Sequence, residues 1–371
     1  WTPQQNLAFY HESNIDLSSK LTATLGLRYD YTHVGGHYNS SAYMQLKMLF
    51  GLGSHAVPME QTTTSTYDGR THNDFNQLLP KIGLRYTLDR WGSNVYATVS
   101  KGYRAGGYNI QMFSDILSYE LRTKGRGTAT STIAHTSADY DAVNHTISYQ
   151  PETTWNYEVG THLNLFEGSM QLDVSAYFMQ IRNQQLSVMA GNYGFGRMMV
   201  NAGKSHSYGL EATLRGQSLR GHLDWNISYG LTQAVFRNYN DTLTTATGKL
   251  PISYKGKRIP YVPMHTLSAM ADYKFNVQHG WLHSVTIGAN VHAQGNIYWD
   301  EGNTYKQRFY AVFGAHADVD FGALKLSGWG RNLTNTKYNT FAVQSAATGQ
   351  KLTFAQLGDL AQFGVDLHVN I

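Results

Sequence analysis

The sequence contains no cysteine, so neither a disulfide framework nor a thiolate metal site can be built from it. Charged residues make up only 15 % of the 371, and prolines number 7, which leaves room for long uninterrupted segments. No run approaches the ~18 consecutive apolar residues that mark a membrane helix. The mean hydropathy of −0.38 is also not that of a helical membrane protein. A net charge of +4 is small for this length and gives no case for nucleic-acid binding. The start at Trp1 lacks the basic and then apolar stretch of a secretory signal. What the sequence has in quantity is tyrosine (26), glycine (36) and polar residues set between apolar ones. That mixture suits a wall with lipid on one side and water on the other, a transmembrane β-barrel. Such a protein needs a signal peptide, so its true N-terminus is expected upstream of Trp1.

The alternation can be read residue by residue. From His222 to Thr232, Leu223, Trp225, Ile227, Tyr229 and Leu231 share one face, and Asp224, Asn226 and Ser228 the other. Met170, Leu172, Val174, Ala176 and Phe178 oppose Gln171, Asp173 and Ser175. Val285, Ile287, Ala289 and Val291 oppose Ser284, Thr286, Asn290 and His292. The end reads Phe363, Val365, Leu367, Val369, Ile371 against Asp366, His368 and Asn370. A soluble β-sandwich also alternates, but its strands average ~5–6 residues. These runs are about twice that length, as membrane strands are.

Breaks between the runs come in two kinds. Tight ones lie at 16–19, 89–92, 166–168, 218–221, 278–280 and 321–323; long ones at about 36–72, 108–149, 185–198, 237–260, 297–305 and 336–356. Outer-membrane barrels have short periplasmic turns and longer extracellular loops, so the alternation assigns each break to a side. The spacing predicts thirteen strands: 5–15, 20–35, 73–89, 93–107, 152–166, 169–184, 199–216, 220–236, 262–276, 281–296, 306–320, 323–335 and 358–371. The first and last both run toward the periplasm. Plugged outer-membrane transporters have 22 strands, and strands ten to twenty-two of such a barrel would have this number and direction.

Several strings then resemble those of TonB-dependent outer-membrane receptors. Leu79-Pro80-Lys81-Ile82-Gly83-Leu84-Arg85-Tyr86 is similar to the family's LPRLGLSY strand opening, and Val95 through Asn109 to VYASYSRGYRAGGFN. Pro151 to His162 resembles the PE…NYELG hairpin start, Asn201 to Leu214 resembles NAG…GVELE, and Arg331 to Tyr338 resembles NLFDKRY before the final strand. The five strings occur in the family's order over nearly the whole chain. The layout is closest to siderophore receptors of the yersiniabactin–pesticin type. Two departures stand out: the family usually closes on an aromatic residue where this sequence has Ile371, and Leu360-Ala361-Gln362 stands where a Pro-Arg pair often begins the last strand. The resemblance implies an all-β transmembrane antiparallel β-barrel. Residues 1–371 would supply about thirteen C-terminal strands of 22, with the plug domain, TonB box and first nine strands lying outside the sequence. It implies active import of a scarce ligand, an iron–siderophore complex first, with cobalamin or an oligosaccharide behind it. It also implies the TonB–ExbB–ExbD complex and outer-membrane lipid as partners, a Gram-negative outer-membrane location, no enzymatic activity, no cofactor and no nucleic acid. The final strand, Phe363, Val365, Leu367, Val369 and Ile371, would carry the barrel-assembly signal.

Other chemistry reads weakly. Ala202-Gly203-Lys204-Ser205 lacks the first glycine of a P-loop, since position 198 is methionine, and it lies on a strand. Gly191 to Gly196 reads as a loop tip rather than a dinucleotide fingerprint. His162, His222, His292, His316 and His368 fall on polar strand faces without the close spacing of a metal site, and Asp173, Asp224, Asp272, Asp318 and Asp366 share those faces. Lumen filling, including contact with a plug, explains them better than paired catalytic carboxylates. Ligand recognition should sit in the loops, where Tyr119, Arg122, Lys124, Arg126, Tyr193, Phe195 and Arg197 mix aromatic and basic groups suited to an anionic, ring-bearing chelate. An ordinary rim of interfacial aromatics would look much the same. Lys255, Lys257 and Arg258 could meet lipid phosphates instead. A passive porin and a barrel-embedded hydrolase remain as alternatives; the first needs no plug, and the second needs a nucleophile constellation that the sequence does not display.

Overall fold

The computed structural model describes residues 1–50, 57–125, 130–189, 197–245, 248–345 and 352–369. Thirteen strands run up and down as one antiparallel meander in which every strand pairs with its sequence neighbours in the series. They are β1 (Gln4–Asp16), β2 (Leu21–Phe50), β3 (Val57–Thr87), β4 (Asn94–Arg104), β5 (Glu152–Leu165), β6 (Met170–Arg182) and β7 (Lys204–Ser218). The series continues with β8 (Leu223–Asn238), β9 (His265–His279), β10 (Leu282–Gly295), β11 (Tyr310–Asp320), β12 (Leu324–Arg331) and β13 (Gln362–Val369). The number and order are those the alternation predicts.

Each tight break is a hydrogen-bonded turn. At 89–92 the Asp89 carboxylate accepts the Trp91 and Ser93 amides at 2.8 and 3.0 Å. At 166–168 three successive residues hold positive φ, 51°, 60° and 91°, ending on Gly168, where the left-handed conformation carries no Cβ penalty. Aromatic rings collect at this end: Trp281 stacks on Phe321 at 5.1 Å, and the Arg90 guanidinium lies 4.8 Å over Trp91. They form the kind of girdle that sits at a membrane–water interface.

Directly paired residues project from the same face of a sheet, so the register sorts the two sides. One row reads Leu163, Leu172, Leu214, Ile227, Ala269, Val291, Phe313 across β5 to β11. Another reads Val365, Gly328, Ala317, Ile287, Tyr273, Leu223. The rows between them are polar: Asp366, Ser327, Asp318, Thr286, Lys274 in one, and Asn164, Gln171, Arg215, Asn226 in the next. The apolar side stays open to its surroundings, with Val365 71 % and Ile287 54 % exposed. Among the described residues no second sheet covers it, as a sandwich would require.

Several breaks read as loops carry secondary structure: short hairpins pair Gln185–Met189 with Arg197–Asn201, Asn240–Thr245 with Gly248–Ser253 and Asn339–Ser345 with Leu352–Leu357, and two breaks differ more. Residues 36–72 are mostly a long hairpin rather than a loop. β2 and β3 stay paired from Leu21↔Tyr86 out to Phe50↔Val57. Along β2 the alternation continues, but its polarity inverts. Near the turn, Leu25, Leu27 and Tyr29 face outward against Thr24, Arg28 and Asp30; further out, Val34 and Tyr38 are buried on the inner side while His33 and Asn39 face out. The distance from Leu21 to Tyr31 is ~33 Å along the strand. At a tilt of ~40–45° that is close to the ~25 Å height of an apolar membrane band. The hairpin therefore continues as strand into water, where its inner face becomes the buried one. The 108–149 break, read as loop, contains two helices, α1 (Phe113–Lys124) and α2 (Ser137–Ile147).

Candidate ligand-binding face

The lumen side of the wall is laced with ion pairs, some between adjacent strands and some reaching over a glycine of the strand between, Gly26 or Gly288. Lys81 meets Glu12 at 3.0 Å, His162 meets Asp173 at 2.7 Å with Arg215 at 3.7 Å, His316 meets Asp272 at 3.7 Å, and Lys325 meets Asp318 at 2.8 Å. Trp329 donates its indole N–H to Asp366 at 2.8 Å. His222, Asp224, His292 and His368 lie on the same side by register. Two histidine–aspartate pairs thus form across strands, His162 with Asp173 and His316 with Asp272, and the described residues bring no three such groups together as a metal-ligand set. A recess of about 600 Å³ opens on this side below the long connections, where Glu211, Ser228, Thr266, His292 and Gln294 mix with Leu267, Val312 and the rings of Tyr310 and Tyr338.

Above it, the long connections fold inward and pack on the lumen side of the extended strands. In the first cluster Phe113, Leu117, Val143 and Ile147 of the two helices bury against Val34, Tyr38, Tyr67 and Phe75. The second joins Leu186 and Ala202 to Ala234, Phe236, Tyr239 and Ile259. The third joins Ile297 and Trp299 to Ala342. Asparagine side chains tie neighbouring connections together through reciprocal bonds. Asn109 accepts the Met199 amide at 2.7 Å and donates to its carbonyl at 2.8 Å. Asn303 accepts the Arg258 amide at 2.7 Å and donates to its carbonyl at 2.9 Å. The connections therefore form one braced rim.

The helices are held by a buried charged network. Glu120 accepts from Ser65 at 2.6 Å and Lys124 at 3.0 Å, and it meets His135 Nε2 at 2.8 Å. Burial would push the Glu120 carboxyl up, but these three partners outweigh it and hold it below the usual range. His135 stacks on Tyr67 at 3.9 Å. Burial, with the Glu120 charge beside it, pushes the Tyr67 hydroxyl up to about 12.

Among the ligand candidates, Tyr119, Arg122 and Lys124 all come from α1. Tyr119 is 69 % exposed. Tyr119 and Lys124 line a groove of about 450 Å³ between the helices with Tyr67, Asp115 and Asp139, but Arg122 does not line it. Lys124 is engaged with Glu120 at 3.0 Å and with Asp139 at 3.8 Å, so it fastens the two helices. Arg126, Tyr193 and Phe195 lie outside the described residues, and Arg197 begins the strand Arg197–Asn201, which the Asn109 clamp holds. Of the three basic residues read as lipid contacts, Arg258 instead bonds Gln233 within the rim. Phe363, Val365, Leu367 and Val369 project outward from β13, and Ile371 lies outside the described residues.

The sequence reading passed over Asn109, Glu120, His135 and Asn303. Two signals could have found the helices: Phe113, Leu117 and Leu121 at four-residue spacing, and Thr136 with Asp139, which form a reciprocal cap at the start of α2. The asparagine clamps leave no comparable trace, because their partners are backbone groups 45 to 90 residues away.

A membrane-spanning meander with an apolar outer face, a paired polar lumen face and an inward-folded rim defines a wall of an outer-membrane β-barrel. The family model described as TonB dependent receptor-like, beta-barrel matches residues 1–333, and the chain belongs to that family. Members of the family reside in the outer membrane of Gram-negative bacteria. The chain is 22 % identical over 362 residues to the pesticin receptor of Yersinia pestis, covering 94 % of this chain and 42 % of that protein. A 157-residue stretch is 27 % identical to the metal-pseudopaline receptor of Pseudomonas aeruginosa, covering 42 % of this chain and 20 % of that protein. In three dimensions it resembles the ferric yersiniabactin uptake receptor FyuA from Yersinia pestis, with TM-score 0.68, 19 % identity, and coverage of 99 % of this chain and 46 % of that one. The siderophore receptor PiuA from Acinetobacter baumannii gives TM-score 0.67 at 16 % identity, covering 99 % of this chain and 43 % of that one. The chain thus spans less than half the length of each of these relatives.

Proposed function

We propose that this chain forms the C-terminal part of the wall of a receptor that actively imports a scarce ligand across the outer membrane, with an iron–siderophore complex as the leading ligand. The observation that carries this is the braced, inward-folded rim standing over a polar-lined wall in a chain of this family. Loops drawn over the mouth suit capture of a rare solute better than free diffusion. The remaining strands and a plug would come from sequence upstream of Trp1. Tyr119 and the α1–α2 groove are the leading contact surface for the ligand, with Arg122, Arg126, Tyr193, Phe195 and Arg197 as further candidates on neighbouring connections. Relatives named for pesticin, metal-pseudopaline and ferric yersiniabactin support a metal chelate over cobalamin or an oligosaccharide.

A plugged lumen does not conduct passively, and the outer membrane holds neither ATP nor an ion gradient, so the work must come through the TonB–ExbB–ExbD complex. The test compares uptake of labelled ferric siderophores in cells with and without TonB, under iron limitation. Uptake should require both the receptor and TonB. Uptake indifferent to TonB would replace this reading with a passive porin, and normal growth on siderophore iron without the receptor would remove the substrate class.

A further inference from the structure

From β5 to β13 the outward face carries charge in one place. Over β4 to β13, the residues in the apolar rows include no aspartate or glutamate, and most of those rows are uncharged. At the rim end of β6, β7 and β8, however, three cations come together. Arg182 pairs directly with Lys204, Lys204 pairs across a bulge with Asn238, and Arg237 is the adjoining residue. All three are exposed. Like charges directly opposite on a sheet repel, and among the described residues no acidic side chain forms an ion pair with any of them. The next segment adds to the patch. The Phe236 amide donates to the Lys257 carbonyl at 2.9 Å and the Gly256 amide to the Phe236 carbonyl at 2.8 Å, which brings the exposed Lys255 and Lys257 alongside Arg237.

Directly beneath the cations is an aromatic belt. Trp155, Gln180 and His206 form the next outward row, and Tyr157, Phe178 and Tyr208 the one below it. Phe178 meets His206 edge-on at 5.1 Å and Tyr157 at 6.3 Å. Outward aromatics of this kind lie at the headgroup level. Cations one row above them stand at the height of lipid phosphates, on the side that faces lipid.

We propose that Arg182, Lys204 and Arg237 form a binding site for the phosphorylated headgroup of an outer-leaflet lipid. The inference rests on the membrane-wall reading above. The three residues span two strand spacings, about 10 Å, which is wider than one phosphate and fits a headgroup bearing two. Bound phosphate supplies the counter-charge that the protein withholds and fastens the wall beside the rim. Attraction to anionic lipid is worth about fivefold in affinity per cation near a membrane surface, so removing three should weaken binding roughly a hundredfold.

The test uses the full-length receptor, reconstituted in phosphatidylcholine vesicles and then examined by native mass spectrometry in detergent with cardiolipin, a two-phosphate lipid, as probe. Wild type should retain cardiolipin in preference to phosphatidylcholine. The triple variant Arg182→Gln, Lys204→Gln, Arg237→Gln should lose that preference while still floating with vesicles and keeping its heat-modifiable mobility. Arg220→Gln, at the opposite end of the wall, should retain it. Equal retention by wild type and triple variant, or no preference in wild type, overturns the site and leaves the barrel reading standing. Displacement of cardiolipin by inorganic phosphate at equal concentration overturns the lipid and leaves only an anion site. A wild-type receptor that fails to float with vesicles removes the membrane-wall reading, and the lipid site with it.

Discussion

Placing an arginine at position 227 or at its neighbour 226 asks the membrane and the lumen the same question one residue apart. Ile227 points outward, 45 % exposed, between Leu214 and Ala269. It lies four residues along β8 from Leu223, ~13 Å of strand, which at a tilt of ~40° is ~10 Å into a band ~25 Å tall. That is close to the midplane, where an outward arginine costs ~2–4 kcal/mol. Asn226 points to the lumen, between Arg215 and Met270. An arginine there remains in water, and its main cost is repulsion from Arg215, at most ~1 kcal/mol. Ile227→Arg should therefore be the more destabilising of the two by roughly 1–4 kcal/mol. The assay is urea titration of the full-length receptor folded into lipid vesicles, following the fraction that keeps its folded mobility on unboiled gels. Equal midpoints, or a lower midpoint for Asn226→Arg, would refute the assignment of faces on which the whole architecture rests.

Asn109→Ala removes both bonds of the clamp on Met199 and should loosen that contact by ~1–3 kcal/mol, seen as faster amide exchange at 197–201 without a change in global stability. Glu120 is held below its ordinary value of 4.5 in the fold, so its contribution is present above that pH and is lost as pH falls through its lowered value; amide exchange in α1 should accelerate on acidification, and Glu120→Gln should abolish that dependence while raising exchange at neutral pH. Gly209→Ala would place a Cβ 2.1 Å from the Leu231 carbonyl oxygen, forcing β7 and β8 apart; thermal unfolding should fall in temperature, and an unchanged midpoint would show that the register there is looser than drawn. Tyr119→Ala should weaken ligand binding to the intact receptor while leaving its folding unaltered, as read by ligand titration beside the unboiled-gel assay.

How much of this was legible depends on which physics wrote the sequence. The membrane strands were, because lipid on one face and water on the other impose a period of two that no loop imitates; Leu223 to Leu231 states its own orientation. The strand count followed from turn residues such as Gly168 and Gly92, whose positive φ leaves a compositional mark. The continuation of β2 and β3 into 36–72 was missed because strand was expected to stop where the outward apolar residues stop. The helices were missed for a related reason: Phe113, Leu117 and Leu121 are three apolar residues in a polar segment, and the surface they bury against belongs to a hairpin 40 to 80 residues upstream. The candidate ligand residues were chosen by type, and type alone could not say that Lys124 is spent on Glu120 or that Arg258 is spent on Gln233.

The inverted polarity of the long strands also locates the membrane without any appeal to loops. On β2 the inner side changes from Thr24, Arg28 and Asp30 to Val34 and Tyr38; on β8 it changes from Asp224, Asn226 and Ser228 to Ala234 and Phe236. The alternation keeps its phase through the change, since the strands stay in register. Only the identity of the wet face is exchanged. Within the bilayer a strand must turn apolar residues outward, because lipid cannot hydrate polar ones. Beyond the bilayer the outside is water, and the only place left to bury an apolar residue is inward, against whatever covers the mouth. An inward apolar patch above the boundary therefore requires a cover, and the three clusters supply it from the strands' own connections. The same boundary falls beside Arg182, Lys204 and Arg237 on the outer surface, where the aromatic belt ends. Two independent features, one inside the wall and one outside, thus mark a single plane, and an arginine scan outward along β8 should show its folding penalty fall away between Leu231 and Arg237.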